Sequence, residues 1–365
     1  MRILVVNAGS SSLKLRVIES DDTVAHAEDL PAVGRGTTSA DISSAVAAYG
    51  SLDAIGHRVV HGGYKFTAPV RIDKSTTDEL ARLVDLAPLH QPMALAAIAA
   101  VSKALHSVPA VACFDTAFHA GLPVAASTYA LPREWREKWV LRRFGFHGLS
   151  HSYASNQLAR LMGRPIEGLC LITCHLGAGA SLAAIQGGIS VDTTMGFTPL
   201  EGLVMATRSG SIDPGLLLWL VTTAGLTSAE LADGLENHSG LLGMAGSADM
   251  REVSEAAAVG NADAQLALDI YLHRLRAGIA AMTASLGRLD GLVFTGGVGE
   301  NSSTVRAGAI ESLGHLGLTL DRTRDQARGD REISEEGAPV FVAVISARED
   351  LQIAREVRLV LDNST

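Results

Sequence analysis

Apolar residues in this chain fall into two kinds of run. Short runs rich in valine and isoleucine, bounded by glycine or polar clusters, predict strands at 2–6, 13–19, 54–60, 109–115, 169–176, 180–186, 291–297 and 339–346. Longer stretches in which apolar residues recur every three or four positions predict helices at 75–87, 91–105, 150–162, 213–225, 262–286 and 350–362. The first opens on Ser75 with Asp78 three positions on, close to a capping box. The fourth opens on Asp213 and Pro214, with proline where a helix does not need its N–H. The last reads as an amphipathic closing helix. Strands alternating with helices point to an α/β protein.

One pattern occurs twice. "ILVVNAGSSSLKLRVIE" and "LCLITCHLGAGASLAAIQ" both read strand, small-residue turn, strand, about half a chain apart. Each is a hairpin. The repeat predicts two domains of related design, each turning a hairpin loop into a shared cleft.

Composition narrows the class. A chain of 365 residues suggests two or three domains, and an apolar fraction of 47% is ample for their cores. Frequent glycine (37) with aromatics at only 4% fits an α/β protein rather than a disordered or disulfide-built one. The net charge of −9 argues against a nucleic-acid binder, which needs a basic face. The three cysteines, Cys113, Cys170 and Cys174, lie in apolar runs and form no framework, as in a reducing compartment. Cys170 and Cys174 form C-x3-C without a second pair and read as core thiols rather than zinc ligands. The apolar start before Asn7 is too short for a signal peptide, and no run approaches the ~20 residues of a membrane span. The expectation is a soluble cytoplasmic protein.

The candidate chemistry sits in loops. Small residues let backbone N–H groups approach an anion, and three such loops follow strand patterns: "NAGSSSLK", "HLGAGAS" and "TGGVGEN". In the first, Ser10, Ser11 and Ser12 add hydroxyls, Lys14 adds a charge, and the Asn7 amide oxygen suits metal-bound water. Neither a Walker A loop nor a Rossmann fingerprint is present, and the pair "GK" occurs nowhere. Three glycine turns without either fingerprint suggest a nucleotide site of the two-domain, actin-like kind. Arg58 inside a valine-rich strand needs an anionic partner, either a structural carboxylate or a substrate. Asp115 ends an apolar strand, where α/β enzymes hold chemistry and where a helix N-cap also sits. His147 can donate to developing charge, and Arg208 precedes a helix start; Asp249 and Arg251 add polar groups. Arginines and a histidine near glycine loops are what phosphoryl transfer uses, whereas G-x-S-x-G and H-E-x-x-H are both absent.

Taken in order, "NAGSSSLK", "GHRVVHGG", "DTAFH", "FGFHGLSH", "MGFTPLEGL", "TRSGSIDPG", "FTGGVGENS" and "AREDLQIARE" resemble the acetate kinase family across nearly the whole chain. The resemblance implies a duplicated actin-like (ribonuclease H-like) fold with mixed sheets flanked by helices. It implies an N-terminal domain of 1–148 plus 352–365 and a C-terminal domain of 149–351 that binds nucleotide and dimerises. It implies transfer between ATP and acetate to give ADP and acetyl phosphate, with Mg²⁺ (or Mn²⁺), in a homodimer with no membrane or nucleic-acid partner. Carried over by motif, Asn7 and Glu349 resemble metal-site residues. Lys14, Ser10, Ser12, His175, Leu176, Gly177, Ala178, Gly179, Asp249, Met250, Arg251, Gly297, Val298, Gly299, Glu300 and Asn301 resemble nucleotide contacts. Arg58 resembles the arginine for the acetate carboxylate, and Val60, Leu89, Phe146 and Pro199 resemble the methyl pocket. Asp115 resembles the essential aspartate, described in the family as proton donor or acceptor, and His147 and Arg208 the transition-state stabilisers. The chain departs from the family pattern at Ala178 (asparagine), Ser211 (aspartate), Gln91 (asparagine), Tyr64 (glutamate) and Arg348 (asparagine). The alternatives are a propionate or butyrate kinase and a non-catalytic, nucleotide-switched actin-like protein.

Overall fold

A computed structural model describes residues 1–9, 12–32, 37–88 and 90–362, with the Ser39 side chain left aside. The chain forms two compact units. The first contains 1–120, 146–153 and 348–365; the second contains 121–145 and 154–347.

The first unit is built on a six-stranded sheet: β1 (Ile3–Ala8), β2 (Ser12–Ile18), β3 (Val24–Pro31), β4 (Ala54–Val59), β5 (Val70–Arg71) and β6 (Ala110–Phe114), in the order β3-β2-β1-β4-β6-β5. β1, β4 and β6 run parallel, and β2, β3 and β5 are antiparallel to their neighbours. One core joins Leu4, Val6, Leu13, Leu15, Val17 and Ile55 of the strands to Ile42, Val46, Ala97 and Val101 of helices Ser39–Ala47 and Gln91–Ala104. Helix Glu349–Asp362 buries Leu351, Ile353, Ala354 and Val357 and packs on β1, β4 and β6. It approaches so closely that a Cβ at Gly56 would sit 2.4 Å from Ile353 and 2.8 Å from Val357.

The second unit repeats the plan. Its strands are β7 (Cys170–Leu176), β8 (Ala180–Gln186), β9 (Ile189–Thr193), β10 (Gly291–Thr295), β11 (Arg331–Glu332) and β12 (Phe341–Val344), ordered β11-β12-β10-β7-β8-β9. Read from β9, this is the first order strand for strand. Pairing directions agree, and each sheet carries a register shift at the same joint, between Val17 and Ile18 on β2 and between Ala184 and Ile185 on β8. Cys170 and Cys174 are buried on β7.

All eight expected strands exist within a residue or two of their forecast ends. β3 was not expected because it is an exposed edge strand whose polar sequence, VAHAEDLP, carries no apolar alternation. The first expected helix begins at Lys74, not Ser75: Asp73 is the N-cap, its Oδ1 accepting from Thr76 N at 2.7 Å. The glycine turn expected at 295–301 is instead helix Gly296–Asn301, entered through Gly296 at φ +80° directly from β10.

Candidate active site

In the first unit the parallel strands β1, β4 and β6 align their C-terminal ends, the edge at which α/β sheets carry chemistry. Asn7 lies near the end of β1, Arg58 near the end of β4, and Asp115 directly after β6. Glu349, the first residue of the closing helix, joins them. Arg58 grips Asp115 through two donors, Nη2 to Oδ2 at 2.6 Å and Nε to Oδ1 at 3.3 Å. Its Nη1 donates to Asn7 Oδ1 at 3.2 Å, and Nε stands 3.6 Å from Glu349 Oε2. Asn7 Nδ2 donates to the same Glu349 oxygen at 3.1 Å. The cluster is shielded, with Arg58 17% and Asp115 1% exposed.

Two carboxylates share one guanidinium, so the cluster carries a surplus negative charge. Asp115 is raised to about 6: burial pushes it up, Arg58 pulls against this, and Glu349 adds to the rise. Burial works against the Arg58 charge, but Asp115 and Glu349 outweigh it and hold the guanidinium above its ordinary value. Among the described residues no group of three or more His, Cys, Asp or Glu side chains is gathered as a metal cage. Oxygen donors at Asn7 and Glu349 in a net negative cluster fit Mg²⁺, which takes one or two protein ligands and completes its shell with water and substrate phosphate.

The loop after Asp115 is pinned. Gly148 N donates to Asp115 O at 2.9 Å, and a Cβ there would sit 2.2 Å from that oxygen. His147, the residue before, is held at φ +57°, uncommon for a side-chain-bearing residue and a mark of a constrained site. Val60 and Phe146 are buried. Phe146 O is 3.1 Å from His119 Nε2, and its ring meets His61 edge-on at 5.5 Å. Ser12 is half-buried and Lys14 exposed on β2, Lys14 standing opposite Asn7 in the register. Ser10 and Leu89 lie outside the described residues.

The second unit holds a cavity of about 700 Å³. Its lining includes Gly177, Ala178, Asp249, Met250, Arg251, Gly297, Val298 and Asn301, eight of the expected nucleotide contacts. They come from the β7–β8 turn, the start of helix Met250–Ala258, and helix Gly296–Asn301. Asp249 caps its helix by accepting from Arg251 N at 2.9 Å and holds the Arg251 guanidinium at 2.6 Å, which lowers its pKa to about 2. His175, Leu176, Gly179, Gly299 and Glu300 do not line the cavity. Glu300 instead accepts from Ala347 N at 2.9 Å. Its carbonyl and that of Gly299 each accept from Arg306 Nη1 at 2.9 Å, and Arg306 is itself buried against Asp325.

Arg208, half-buried in the second unit, donates to Pro199 O at 3.3 Å. Burial lowers its pKa, with Glu236 opposing, and among the described residues no carboxylate lies within ion-pair distance of it. A shielded guanidinium in that state favours an anion. Ser211 Oγ accepts from Gly202 N at 3.0 Å, and Ser211 N donates to Gly202 O at 2.9 Å, closing the same turn.

Tyr271, Ala206, Leu241, Ala248 and Ser302 complete the cavity wall, and none of the five was named as a site residue from the sequence. Tyr271 belongs to a helix whose apolar period made it an ordinary core residue, and its buried hydroxyl has no partner among the described residues. Also unforeseen is the brace under the "MGFTPLEGL" segment. Tyr129 Oη and Arg143 Nη2 donate to the two oxygens of Glu201 at 2.6 and 2.7 Å, and Phe197 N donates to Tyr129 Oη at 2.8 Å.

The chain matches the family model for the acetokinase family over residues 22–355. It is 46% identical to acetate kinase of Leifsonia xyli, covering 97% of both chains, and 52% identical to acetate kinase of Gloeobacter violaceus over 84% of this chain and 76% of that one. Its structure resembles the crystal structure of Porphyromonas gingivalis acetate kinase (TM-score 0.91, 34% identity, 99% of both chains). It equally resembles a propionate kinase from Francisella tularensis (TM-score 0.90, 35% identity, 98% and 99% covered). At 13% identity, a ROK hexokinase from Thermus thermophilus shares the fold alone (TM-score 0.50, 100% of both chains). The two mixed six-stranded sheets are those of the duplicated actin-like ATPase fold.

Proposed function

The chain belongs to the acetokinase family and is a kinase with a carboxylate acceptor, and we propose that it reversibly transfers the γ-phosphoryl group of ATP to acetate, giving acetyl phosphate and ADP. The observation that carries the reading is the two-donor grip of Arg58 on Asp115 at the C-terminal edge of the parallel strands, beside Asn7 and Glu349. It supports a site in the first unit for a carboxylate and a metal ion. The cavity lined by Gly177, Ala178, Asp249 and Gly297 supports a nucleotide site in the second.

In the proposed reaction an acetate oxygen forms the new bond to γ-phosphorus as the bond to the β–γ bridging oxygen breaks, and ADP leaves with that oxygen. No proton moves, because acetate enters as a carboxylate and needs no base. Asp115 therefore acts by aligning the Arg58 fork, and Arg58 holds the acetate carboxylate. Val60 and Phe146, with Leu89 and Pro199, exclude water from the methyl group. His147 and Arg208 donate to the equatorial oxygens of the transferring PO₃, whose charge is greatest in the transition state. Asn7 and Glu349 would hold Mg²⁺ or Mn²⁺, which neutralises charge on the β- and γ-phosphates when bound.

We further propose a cytoplasmic homodimer. The three cysteines are free and buried, in keeping with a reducing compartment, and no helix among the described residues is long and apolar enough to cross a membrane. Helix Pro214–Thr222 exposes Leu216, Leu218, Trp219 and Val221, an apolar surface suited to a second copy.

A hydroxamate assay with ATP, Mg²⁺ and acetate, propionate or butyrate tests the reaction. Acetyl hydroxamate is the expected product, with propionate as a slower acceptor, since one methylene in an apolar pocket is worth about 1–3 kcal/mol. Absence of acyl phosphate from every acid would return the chain to the class of nucleotide-switched binding proteins.

A further inference from the structure

Beneath the Arg58–Asp115 pair lies a third acid. Glu356 stands on the sheet-facing side of the closing helix, two turns after Glu349. Its Oε1 accepts from Gln352 Nε2 at 3.1 Å, while its buried Oε2 has no partner among the described residues. Beside it is the thiol of Cys113, fully buried on β6 two residues before Asp115.

Among the described residues no cation is available to it. On its own helix, Arg355 and Arg358 are both taken by Asp22, at 3.2 and 2.6 Å, and Arg348 by Asp350 at 2.9 Å. On the strands below, Arg58 is taken by Asp115, and Arg16 of β2 by Asp29 at 2.6 Å. Lys14 of β2 is exposed, and His57 alternates with Arg58 to the opposite face of β4. The groups whose charge or hydrogen bonds reach Glu356 are Gln352, Cys113 and Asp115. A buried carboxylate without a cation keeps its proton.

We infer that Glu356 is a positioning residue for the carboxylate site: as a neutral acid it spares Asp115 a further negative neighbour, so that Asp115 stays ionised and holds the Arg58 fork in place. Burial pushes Glu356 up to about 7, against the hydrogen bond from Gln352. Above that pH the lost proton leaves a carboxylate that repels Asp115 and loosens its hold on Arg58. Acetate binding weakens, while the cavity that supports the nucleotide site, which belongs to the second unit, is untouched. The inference rests on the reading of Arg58 as the acetate-binding group.

Two measurements on the full-length protein test it, one without reference to catalysis. The first is urea unfolding of wild type and Glu356→Gln from pH 5 to pH 8.5. The unfolded acid ionises near 4.5 while the folded one keeps its proton to about 7, so the unfolded state binds fewer protons in that window and stability falls as pH rises. The wild-type midpoint is expected to drop relative to the variant across that window; parallel midpoints overturn the assignment of the proton. The second is acetate KM and ATP KM against pH. Acetate KM of wild type is expected to rise at least threefold between pH 6 and pH 8.5 with ATP KM constant, and to stay flat in Glu356→Gln. An equal rise in both proteins overturns the positioning role. Should Glu356→Gln fail to fold, Gln352→Leu serves instead, shifting the acetate limb to higher pH by removing the hydrogen bond to Glu356 Oε1; an unmoved limb counts against the inference. A protein that forms no acyl phosphate at any pH overturns the kinase reading, and the unfolding experiment then decides the protonation of Glu356 by itself.

Discussion

Arg58 shows how far a residue can be read before it is seen. A guanidinium in a valine-rich strand demanded an anion, and the structure supplies Asp115 at 2.6 Å with Asn7 and Glu349 alongside. The sequence could not choose between structural partner and substrate, because the two demands on a buried cation are the same. Arg58→Ala separates them. Loss of a charge-assisted hydrogen bond costs about 1.5–3 kcal/mol, so acetate KM should rise about ten- to a hundredfold with ATP KM little changed in steady-state kinetics. The histidine at 57 was harder to place, since burial and function leave the same letter. It is 1% exposed, its Nε2 has no partner among the described residues, and burial lowers its pKa to about 3. Below pH 6.5 the unfolded state takes up a proton that the folded state refuses, so stability falls with pH. At pH 5 the cost is about 2 kcal/mol for this group. The His57→Leu variant should lose correspondingly less between pH 7 and pH 5 in urea titrations.

At the scale of elements, strands with apolar runs and strong caps were legible, and edge strands and glycine-rich helix starts were not. β3 lacks alternation because neither face is buried, and helix Gly296–Asn301 begins with two glycines that carry no helical preference. A helix at Ser228–Asn237 was missed although Thr227 and Glu230 form its capping box, a signal open to inspection in the sequence. Nothing in the sequence explained why glycine precedes His57. The reason is the closing helix, whose Ile353 and Val357 occupy the space of a Cβ at Gly56. That contact sets the height of the helix and hence the reach of Glu349 toward Asn7 and Arg58. Gly56→Ala should lift it at a cost of about 1–3 kcal/mol, visible as a lower melting temperature. Because Glu349 moves with the helix, a weaker Mg²⁺ dependence should accompany it.

At the scale of the whole molecule, the repeated hairpin was the trace of a repeated sheet, and the two sheets agree in order, direction and the site of their register shift. What differs is the furnishing of the same edge. One copy ends its strands on Asn7, Arg58 and Asp115, the other on glycine turns around a 700 Å³ cavity. The proposed dimer surface belongs to this scale as well. Replacing Leu218 and Trp219 together by serine should convert a dimer to a monomer in light scattering after size exclusion; a wild-type monomer would remove the proposal. The closing helix has one more consequence. Cys113 and Ile353 touch across 240 positions of sequence, so during synthesis the opening sheet emerges from the ribosome long before the segment that covers it. Its half-built face must wait uncovered while the 240 positions between the two are made.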